Sequence, residues 1–429
     1  MTSHSGAVLF LDLTVIVAVA WLLGGLARRL GQPAVIGEII GGILLGPTLF
    51  GGAITHALFP AEVRHPLTVL ANLGVIVFMF LVGLELDLNL LRVQGGVATS
   101  VSLSAILLPF ALGAVLALHL AEHHPTHQRA AFVLFIGTAM SITAFPVLAR
   151  ILTDRKLLHT PVGGLALACA SVDDVLAWSL LGVVTMLAGT GAPPWQILLI
   201  VPYAALLLFV LRPLLARLSV RGAGRLPGPL VKGVVLIAVP AGLWLSAQAT
   251  DRMGLHLIFG AFLFGVAMPR GDVAALRRGA LPWIGRISSV VLLPVFFVVA
   301  GLNVNLSTMN RAAIGDLALI LLVAIGGKGV GAFVAARLAG ARTRHSAVLA
   351  ILVNTRGLTE LIVLTVGLQL GVLDTRLYSL MVVMAVVTTM MTGVLLGIVY
   401  PEGRAREDRA PVIRLAETGG VTTGRRDAA

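Results

Sequence analysis

The sequence predicts an all-α protein that crosses a lipid bilayer many times. Hydrophobic residues make up 58% of the 429-residue chain and charged residues only 12%, whereas a soluble domain carries about 25% charged residues. The mean hydropathy of +1.00 agrees with this class, as does a series of apolar segments close to the roughly 20 residues that a membrane-spanning helix needs. The 48 glycines favour close packing of helices in lipid.

About thirteen apolar segments are candidate transmembrane helices, and each of them ends near a loop rich in charge, glycine or proline. They lie near residues 7–27, 34–50, 66–86, 96–120, 130–149, 161–188, 195–216, 229–249, 254–269, 287–302, 313–336, 346–370 and 377–399. The first residues lack the basic start of a secretory signal, so the first segment is expected to remain as a helix. Residues 401–429 are polar and are expected to form a disordered tail.

The distribution of basic residues predicts the orientation in the membrane. Alternate loops and the tail hold most of the Lys and Arg residues, whereas the loops on the opposite side hold only Arg64, Arg129, Arg252, Arg311 and Arg376. The positive-inside rule therefore places the amino terminus outside and the tail in the cytoplasm. The net charge of +12 follows from this topology, so we expect no nucleic-acid partner. The single cysteine excludes an internal disulfide and a multi-cysteine metal site.

Two pairs of segments indicate an internal repeat. FMFLVGLELDL (Phe78–Leu88) is similar to FFVVAGLNVNL (Phe296–Leu306), and VIGEIIGGILLGP (Val35–Pro47) is similar, more loosely, to LIFGAFLFGVAMP (Leu257–Pro269). In each pair the copies lie seven predicted spans apart, an odd number, so the second copy is inverted relative to the first. Inverted repeats with helices broken near the middle of the membrane are typical of secondary transporters.

Two adjacent carboxylates, Asp173 and Asp174, lie in the middle of the apolar segment 161–188. A charged carboxylate at that depth costs about 3 kcal/mol on lenient insertion scales and usually marks an ion or proton pathway. Adjacent residues point about 100° apart around a helix, so the two are expected to differ in role. One faces a cavity and binds a cation, and the other takes a charged partner. Lys328, the only lysine deep inside a predicted span, is the natural partner, with a purely structural ion pair as the alternative.

Polar residues mark breaks in two predicted spans. GTAMSITAFPVLARIL (Gly137–Leu152) contains Ser141, Thr143 and Pro146, and LVNTRGLTELIVL (Leu352–Leu364), seven spans later, contains Asn354, Thr355 and Gly357. Proline removes a backbone donor and disrupts the preceding turn, which frees carbonyl oxygens. Two broken helices that cross near the midplane present half-helix ends to an ion. A packing kink is the alternative for each one alone.

Two further groups of polar residues have simpler interpretations. Arg356 and Glu360, four residues apart, are expected to form a local salt bridge, and they are also candidates to balance charge around the break. His119, His123, His124 and His127 are expected to lie in a solvated loop rather than in a metal site.

The motifs together resemble the monovalent cation:proton antiporter superfamily, in the branch of bacterial sodium/proton antiporters, potassium-efflux systems and plant cation/proton exchangers. The resemblance covers roughly residues 8–400. It is carried, in order, by PAVIGEIIGGILLGP, FMFLVGLELDL, SITAFPVLARIL, ASVDDVLAW, LLPVFFVVAGLNVNL and NTRGLTELIVL. It implies a thirteen-helix fold with a dimerisation domain, about 7–86 and 195–302, and a mobile core, about 96–188 and 313–399.

The resemblance also implies roles for individual residues. Asp174 matches the essential ion-binding aspartate, and Asp173 matches a position that is Asp in electrogenic members and Asn in many electroneutral ones. Lys328 matches the basic partner of that position, and Thr143 matches the threonine at the first break. Members with the Phe-Pro motif commonly carry Asn-Asp, whereas this chain has Asp-Asp, so the resemblance leaves the choice between Na⁺ and K⁺ open.

The sequence therefore predicts a secondary active antiporter that exchanges Na⁺ or K⁺ for H⁺ by alternating access, with Asp174 binding cation and proton in turn. The alternatives are a cation channel and a proton-coupled symporter. An intramembrane aspartyl protease would need two carboxylates that face each other from different helices, so we expect no enzymatic activity and no cofactor. The expected setting is a homodimer in a bacterial inner membrane.

Overall fold

The computed structural model describes the chain over eleven stretches, which cover residues 3–49, 52–85, 95–124, 126, 128–157, 160–188, 199–222, 228–253, 257–268, 280–307 and 309–400. Every regular element in these stretches is a helix. The predicted tail, 401–429, lies outside them.

The first half of the chain forms eight helices, with the second and third spans joined by the short α3. They are α1 (Ser3–Arg29), α2 (Ala34–Leu45), α3 (Ala53–Leu58), α4 (Ala61–Glu85), α5 (Gly95–His123), α6 (Arg129–Ser141), α7 (Phe145–Asp154) and α8 (Pro161–Leu187).

The described part of the second half contains ten helices, and two pairs of them are each joined by a π-helical stretch. The stretch Leu206–Leu211 links α9 to α10, and Ser288–Leu292 links α13 to α14. The helices are α9 (Ile200–Ala205), α10 (Arg212–Gly222), α11 (Gly228–Arg252), α12 (Leu257–Ala267), α13 (Ala280–Ile287), α14 (Leu293–Leu302), α15 (Arg311–Leu338), α16 (Thr343–Val353), α17 (Leu358–Gln369) and α18 (Thr375–Val399).

The helices have the length and composition of membrane spans. Ten helical segments in the described part of the chain are long and apolar enough to cross a bilayer. α2 and α12 are apolar and contain 12 and 11 residues in the described part of the chain, and α2 ends before the limit of the predicted span 34–50. Large apolar side chains such as Phe10, Phe209 and Ile398 are exposed, as expected for a surface that faces lipid. The all-helical membrane class is confirmed, whereas the number of thirteen spans stays a prediction.

Glycines join the two repeats at two equivalent places. α2 meets α14 at Gly42 and Gly301, where a Cβ on Gly301 would lie 2.5 Å from the carbonyl oxygen of Ile39. α4 meets α12 at Gly83 and Gly265, where a Cβ on Gly265 would lie 2.2 Å from the carbonyl oxygen of Phe80. In the predicted repeat, α2 corresponds to α12 and α4 corresponds to α14. The contacts α2–α14 and α4–α12 are therefore equivalent, as a pseudo-symmetric arrangement of two inverted repeats requires.

We expect Gly301→Ala to destabilise the protein because its new methyl group would collide with backbone atoms of α2. Overpacking of this kind typically costs about 1–3 kcal/mol, although alanine is intrinsically the better helix former. The measurement is the thermal unfolding midpoint in detergent. Gly315→Ala in α15 is the matched control, since no atom lies within 4 Å of a Cβ at that position. Equal midpoints for the two variants would contradict the proposed close contact.

The two broken helices cross inside the bundle. α6 ends at Ser141 and α7 begins at Phe145, while α16 ends at Val353 and α17 begins at Leu358. The backbone N–H of Ala144 in the first break donates a hydrogen bond of 3.0 Å to the carbonyl of Thr355 in the second. α8 packs against both α6 and α16, which brings its two aspartates to this crossing.

Candidate functional site

The local sequence explains both breaks. Pro146 is the second residue of α7, a position where the missing N–H has no helical partner to lose. Gly357 precedes α17 with φ of 147°, a backbone conformation that side chains disfavour. A Cβ there would also lie 2.9 Å from Cγ2 of Val147. Proline and glycine therefore begin the second half of each broken helix, as the sequence predicted.

Two buried cations cap the broken end of α6. The guanidinium of Arg356 donates hydrogen bonds of 2.7 Å to the carbonyls of Ala139 and Met140, and the ammonium of Lys328 donates to the carbonyl of Ser141. Carbonyls at a helix end have no intrahelical partner, and cations are stabilised there by the helix dipole. Arg356 and Lys328 thereby donate the hydrogen bonds that these carbonyl groups would accept from water at a solvent-exposed helix end.

Arg356 also forms the ion pair expected from its spacing. One guanidinium nitrogen lies 2.8 Å from Oε1 of Glu360, and both side chains are fully buried. Sequence reasoning missed Thr389 in α18, whose hydroxyl donates to the carbonyl of Arg356 at 2.7 Å and accepts from its N–H at 3.2 Å. The available signal was the pair of hydroxyl residues Thr388 and Thr389 in the otherwise apolar stretch 380–391.

Asp173 is held by the two groups nearest to it. Its Oδ2 lies 3.2 Å from Nζ of Lys328 and accepts a hydrogen bond from the hydroxyl of Thr143, which is also 2.9 Å from the carbonyl of Val353. The hydroxyl of Ser141 donates to the carbonyl of Thr138 at 2.8 Å. Thr143 and Ser141, predicted as cation ligands, therefore serve in this conformation to orient Asp173 and to end α6.

Asp174 points to a different helix from its neighbour, as the 100° separation predicted. It is 2% exposed and accepts a hydrogen bond from Thr359, the second residue of α17. The amino-terminal end of a half-helix carries partial positive charge and favours an anion. Thr359 was also missed from the sequence, although a hydroxyl in the first turn after Gly357 was the available signal.

Several oxygens around the crossing are buried without a hydrogen-bond partner in the part of the chain that the structure describes. They are Oδ1 of Asp173, Oδ1 of Asp174, Oδ1 of Asn354 and Oγ1 of Thr355. A buried polar atom without a partner is costly, at about 1–3 kcal/mol. Carboxylate, amide and hydroxyl oxygens are suitable ligands for an alkali cation, and a carboxylate can also take a proton. The oxygens at this site are therefore suited to bind an alkali cation and a proton in alternation.

Comparison with known proteins identifies a family of sodium/hydrogen exchangers and several antiporters that are similar to this chain. Residues 14–400 match the family described as "Sodium/hydrogen exchanger, transmembrane". The Na(+)/H(+) antiporter NhaS4 of Synechocystis is 38% identical over 94% of this chain and 99% of its own length. Cation/H(+) antiporter 17 of Arabidopsis thaliana is 38% identical and K(+)/H(+) antiporter 1 of Saccharomyces cerevisiae is 32% identical. The chain spans 49% and 46% of the lengths of these last two.

The fold has a solved counterpart. The structure of the sodium proton antiporter MjNhaP1 from Methanocaldococcus jannaschii aligns with a TM-score of 0.64, covering 94% of this chain and 98% of that one at 16% identity. The shared architecture, the family match over nearly the whole chain and the level of identity to NhaS4 lead to one conclusion. The chain belongs to the sodium/hydrogen exchanger family of integral membrane transporters.

Proposed function

We propose that Asp174 is the group that binds cation and proton in turn during the cation:proton antiport that this chain performs as a family member. The observation that carries the proposal is the contrast between the two aspartates. Asp173 forms a salt bridge with Lys328 and accepts a hydrogen bond from Thr143, whereas Asp174, which is equally buried, is held by the uncharged hydroxyl of Thr359.

The charges around the crossing support the same assignment. The fully buried cations are Lys328 and Arg356, and the buried carboxylates are Asp173, Asp174 and Glu360. With all five ionised, the group carries one net negative charge. A single proton or a single monovalent cation at Asp174 makes it neutral. Because a net charge is costly to move through a low-dielectric region, the loaded site crosses and the empty site does not, which couples the two ions.

Asn354 and Thr355 are proposed as further cation ligands, because their side-chain oxygens are buried without a hydrogen-bond partner in the described structure. Both side chains are buried and lie in the break between α16 and α17. Oxygen ligands that replace a hydration shell are the usual solution for alkali ions in membranes, and unwound segments of broken helices supply them in transporters. Na⁺ and K⁺ are both named among the relatives, and both remain candidate cargo.

We also propose the division of the chain into a mobile core, about 96–188 and 313–399, and a scaffold that forms a homodimer, about 7–86 and 195–302. α2 and α4 pack on α14 and α12 within the proposed scaffold, and α5, α6, α8 and α15 pack together within the core. The hydroxyl of Tyr378 in α18 donates to the carbonyl of Ala300 in α14 at 2.9 Å. This contact crosses the proposed boundary, so it breaks when the core moves. The charge pattern of the loops supports an outside amino terminus and a cytoplasmic carboxyl terminus.

Competition at one carboxylate is tested by calorimetry on the purified protein. We expect Na⁺ or K⁺ binding to release protons, with a heat that depends on the ionisation enthalpy of the buffer, and we expect the affinity to fall on acidification. Cation uptake without proton release and without pH dependence would contradict the proposal. In proteoliposomes with clamped potential, a channel would show cation flux without a pH gradient, and a symporter would move protons in the same direction as the cation.

A further inference from the structure

Two histidines lie side by side at the carboxyl-terminal end of α5. His119 and His123 are one helical turn apart, with ring centroids separated by 5.2 Å, and both side chains are exposed. The sequence placed them in a solvated loop, but they belong to the last turns of the helix. Histidines at i and i+4 point in the same direction from a helix, which is the spacing that lets two imidazoles bind one metal ion. His127 lies outside the described residues.

A carboxylate from another helix completes the group. Asp316, in the second turn of α15, is 5% exposed, and one ligand atom each from His119, His123 and Asp316 lie within 4.8 Å of one another. Ligand atoms around a tetrahedral Zn²⁺ lie about 3.3 Å apart, given Zn–N distances near 2 Å. Small rotations of the two exposed imidazoles close this difference. Two histidines and one carboxylate are a common zinc ligand set.

His124 gives a second geometric observation at Asp316. It is 2% exposed, and its Nδ1–H donates to the carboxylate of Asp374 at 2.6 Å. Its Nε2 faces Oδ2 of Asp316 at 3.7 Å and has no hydrogen-bond partner in the described part of the chain. This buried nitrogen lies beside the carboxylate of Asp316 but beyond hydrogen-bond distance, so the two groups do not satisfy each other in this conformation.

Asp374 supports His124 from the side opposite Asp316. Burial alone would raise the pKa of Asp374, but hydrogen bonds from His124 and from the N–H of Leu377 lower the pKa overall. The same carboxylate caps the amino terminus of α18, since Oδ1 accepts from Leu377 at 2.6 Å. His124 is therefore oriented toward Asp316 by a carboxylate that is itself held at the start of α18, in the way that hydrogen-bonded neighbours orient metal ligands.

We propose that His119, His123 and Asp316 form a binding site for a divalent transition metal of the Zn²⁺ class, which ties the end of α5 to α15. The site is distinct from the proposed transport site. Asp316 and Lys328 are separated by twelve residues of one helix, which corresponds to about 18 Å. The inference therefore does not depend on the assignment of Asp174, and its test needs no transport measurement.

The test uses the full chain, purified in detergent with a tag that contains no histidine and stripped with a chelator. We expect wild-type protein to bind one Zn²⁺ per chain in calorimetry and to give the absorption bands of four-coordinate Co²⁺. The variant His119→Ala/His123→Ala should bind about 100-fold more weakly or worse, because even the loss of an outer-shell partner costs 10- to 100-fold. His65→Ala, an exposed histidine near the start of α4, is the control and should bind as the wild type does.

Asp316→Asn separates the proposed site from an adventitious pair of surface histidines. We expect this variant also to bind more weakly by at least tenfold and to lose the rise in the unfolding midpoint that Zn²⁺ produces in the wild type. The midpoint without metal shows that each variant is folded. The proposal is overturned if wild-type protein binds no metal, if the double alanine variant binds equally well, or if Asp316→Asn leaves both affinity and thermal shift unchanged.

Discussion

Asp174→Asn should reduce cation:proton exchange in proteoliposomes to the level of empty liposomes. Asparagine has nearly the same shape as aspartate but neither ionises nor releases a proton. The five buried charged groups would become four that sum to zero, so the site would be electrically neutral whether or not a cation is present. Coupling depends on the difference between an empty charged site and a loaded neutral one, and this variant removes that difference.

The Asp174→Asn protein should remain folded, because the substitution removes a buried charge and keeps the Thr359 contact possible. Its unfolding midpoint, measured in the same detergent, verifies this. Asp251→Asn, at an exposed position near the end of α11, is the matched control and should exchange at the wild-type rate. Exchange by Asp174→Asn comparable to that of Asp251→Asn would show that the assignment is wrong.

Lys328→Ala should cause the largest loss of stability among single substitutions at the crossing. The ammonium is fully buried and lies 3.2 Å from Asp173, and it also caps the carbonyl of Ser141. Removing one partner of a buried ion pair typically costs about 3–5 kcal/mol, because the remaining charge is left uncompensated. We expect a markedly lower unfolding midpoint, whereas Arg311→Ala, at the exposed first residue of the same helix, should leave it nearly unchanged.

A double-mutant cycle distinguishes a genuine pair from two independent sites. Asp173→Asn alone leaves Lys328 without its counter-charge, so it should also destabilise the protein. The combined variant should lose less than the sum of the two single losses, by a coupling energy of about 0.5–3 kcal/mol. The ratio of protons to cations exchanged is recorded for every variant that remains folded. A combined variant with wild-type stability and wild-type stoichiometry would rule out a role for the pair.

The features that were predictable from the sequence are those that lipid itself enforces. Charges are so costly in a bilayer that Asp173, Asp174 and Lys328 stand out against their apolar neighbours. Proline and glycine act through the local backbone, so the breaks at Pro146 and Gly357 were also accessible. The four-residue spacing of Arg356 and Glu360 fixes their pairing on one helix, and the structure has that ion pair at 2.8 Å.

The features that the sequence concealed depend on contacts between distant segments. The sequence around Arg356 does not indicate that its side chain caps α6 through Ala139 and Met140, because those residues lie more than 200 positions away. Thr359 and Thr389 lie in largely apolar helices, where a hydroxyl often bonds its own backbone. The burial of His124, which was expected in a solvated loop, was hidden for the same reason. Its neighbours Asp316 and Asp374 come from distant segments that only the tertiary fold brings alongside.

The hydrogen bond between Ala144 and Thr355 limits how ions can pass this point. It joins the unwound segments of both broken helices. Arg356 and Lys328 add hydrogen bonds to the carbonyls at the end of α6 in the same region. Separating these groups in an apolar interior would strand several polar atoms at once, each at a cost of several kcal/mol. A continuous pore between the two segments is therefore disfavoured. Under the proposed alternating-access mechanism the ion travels with the core that holds it, so we expect turnover to saturate far below the conductance of an open pore.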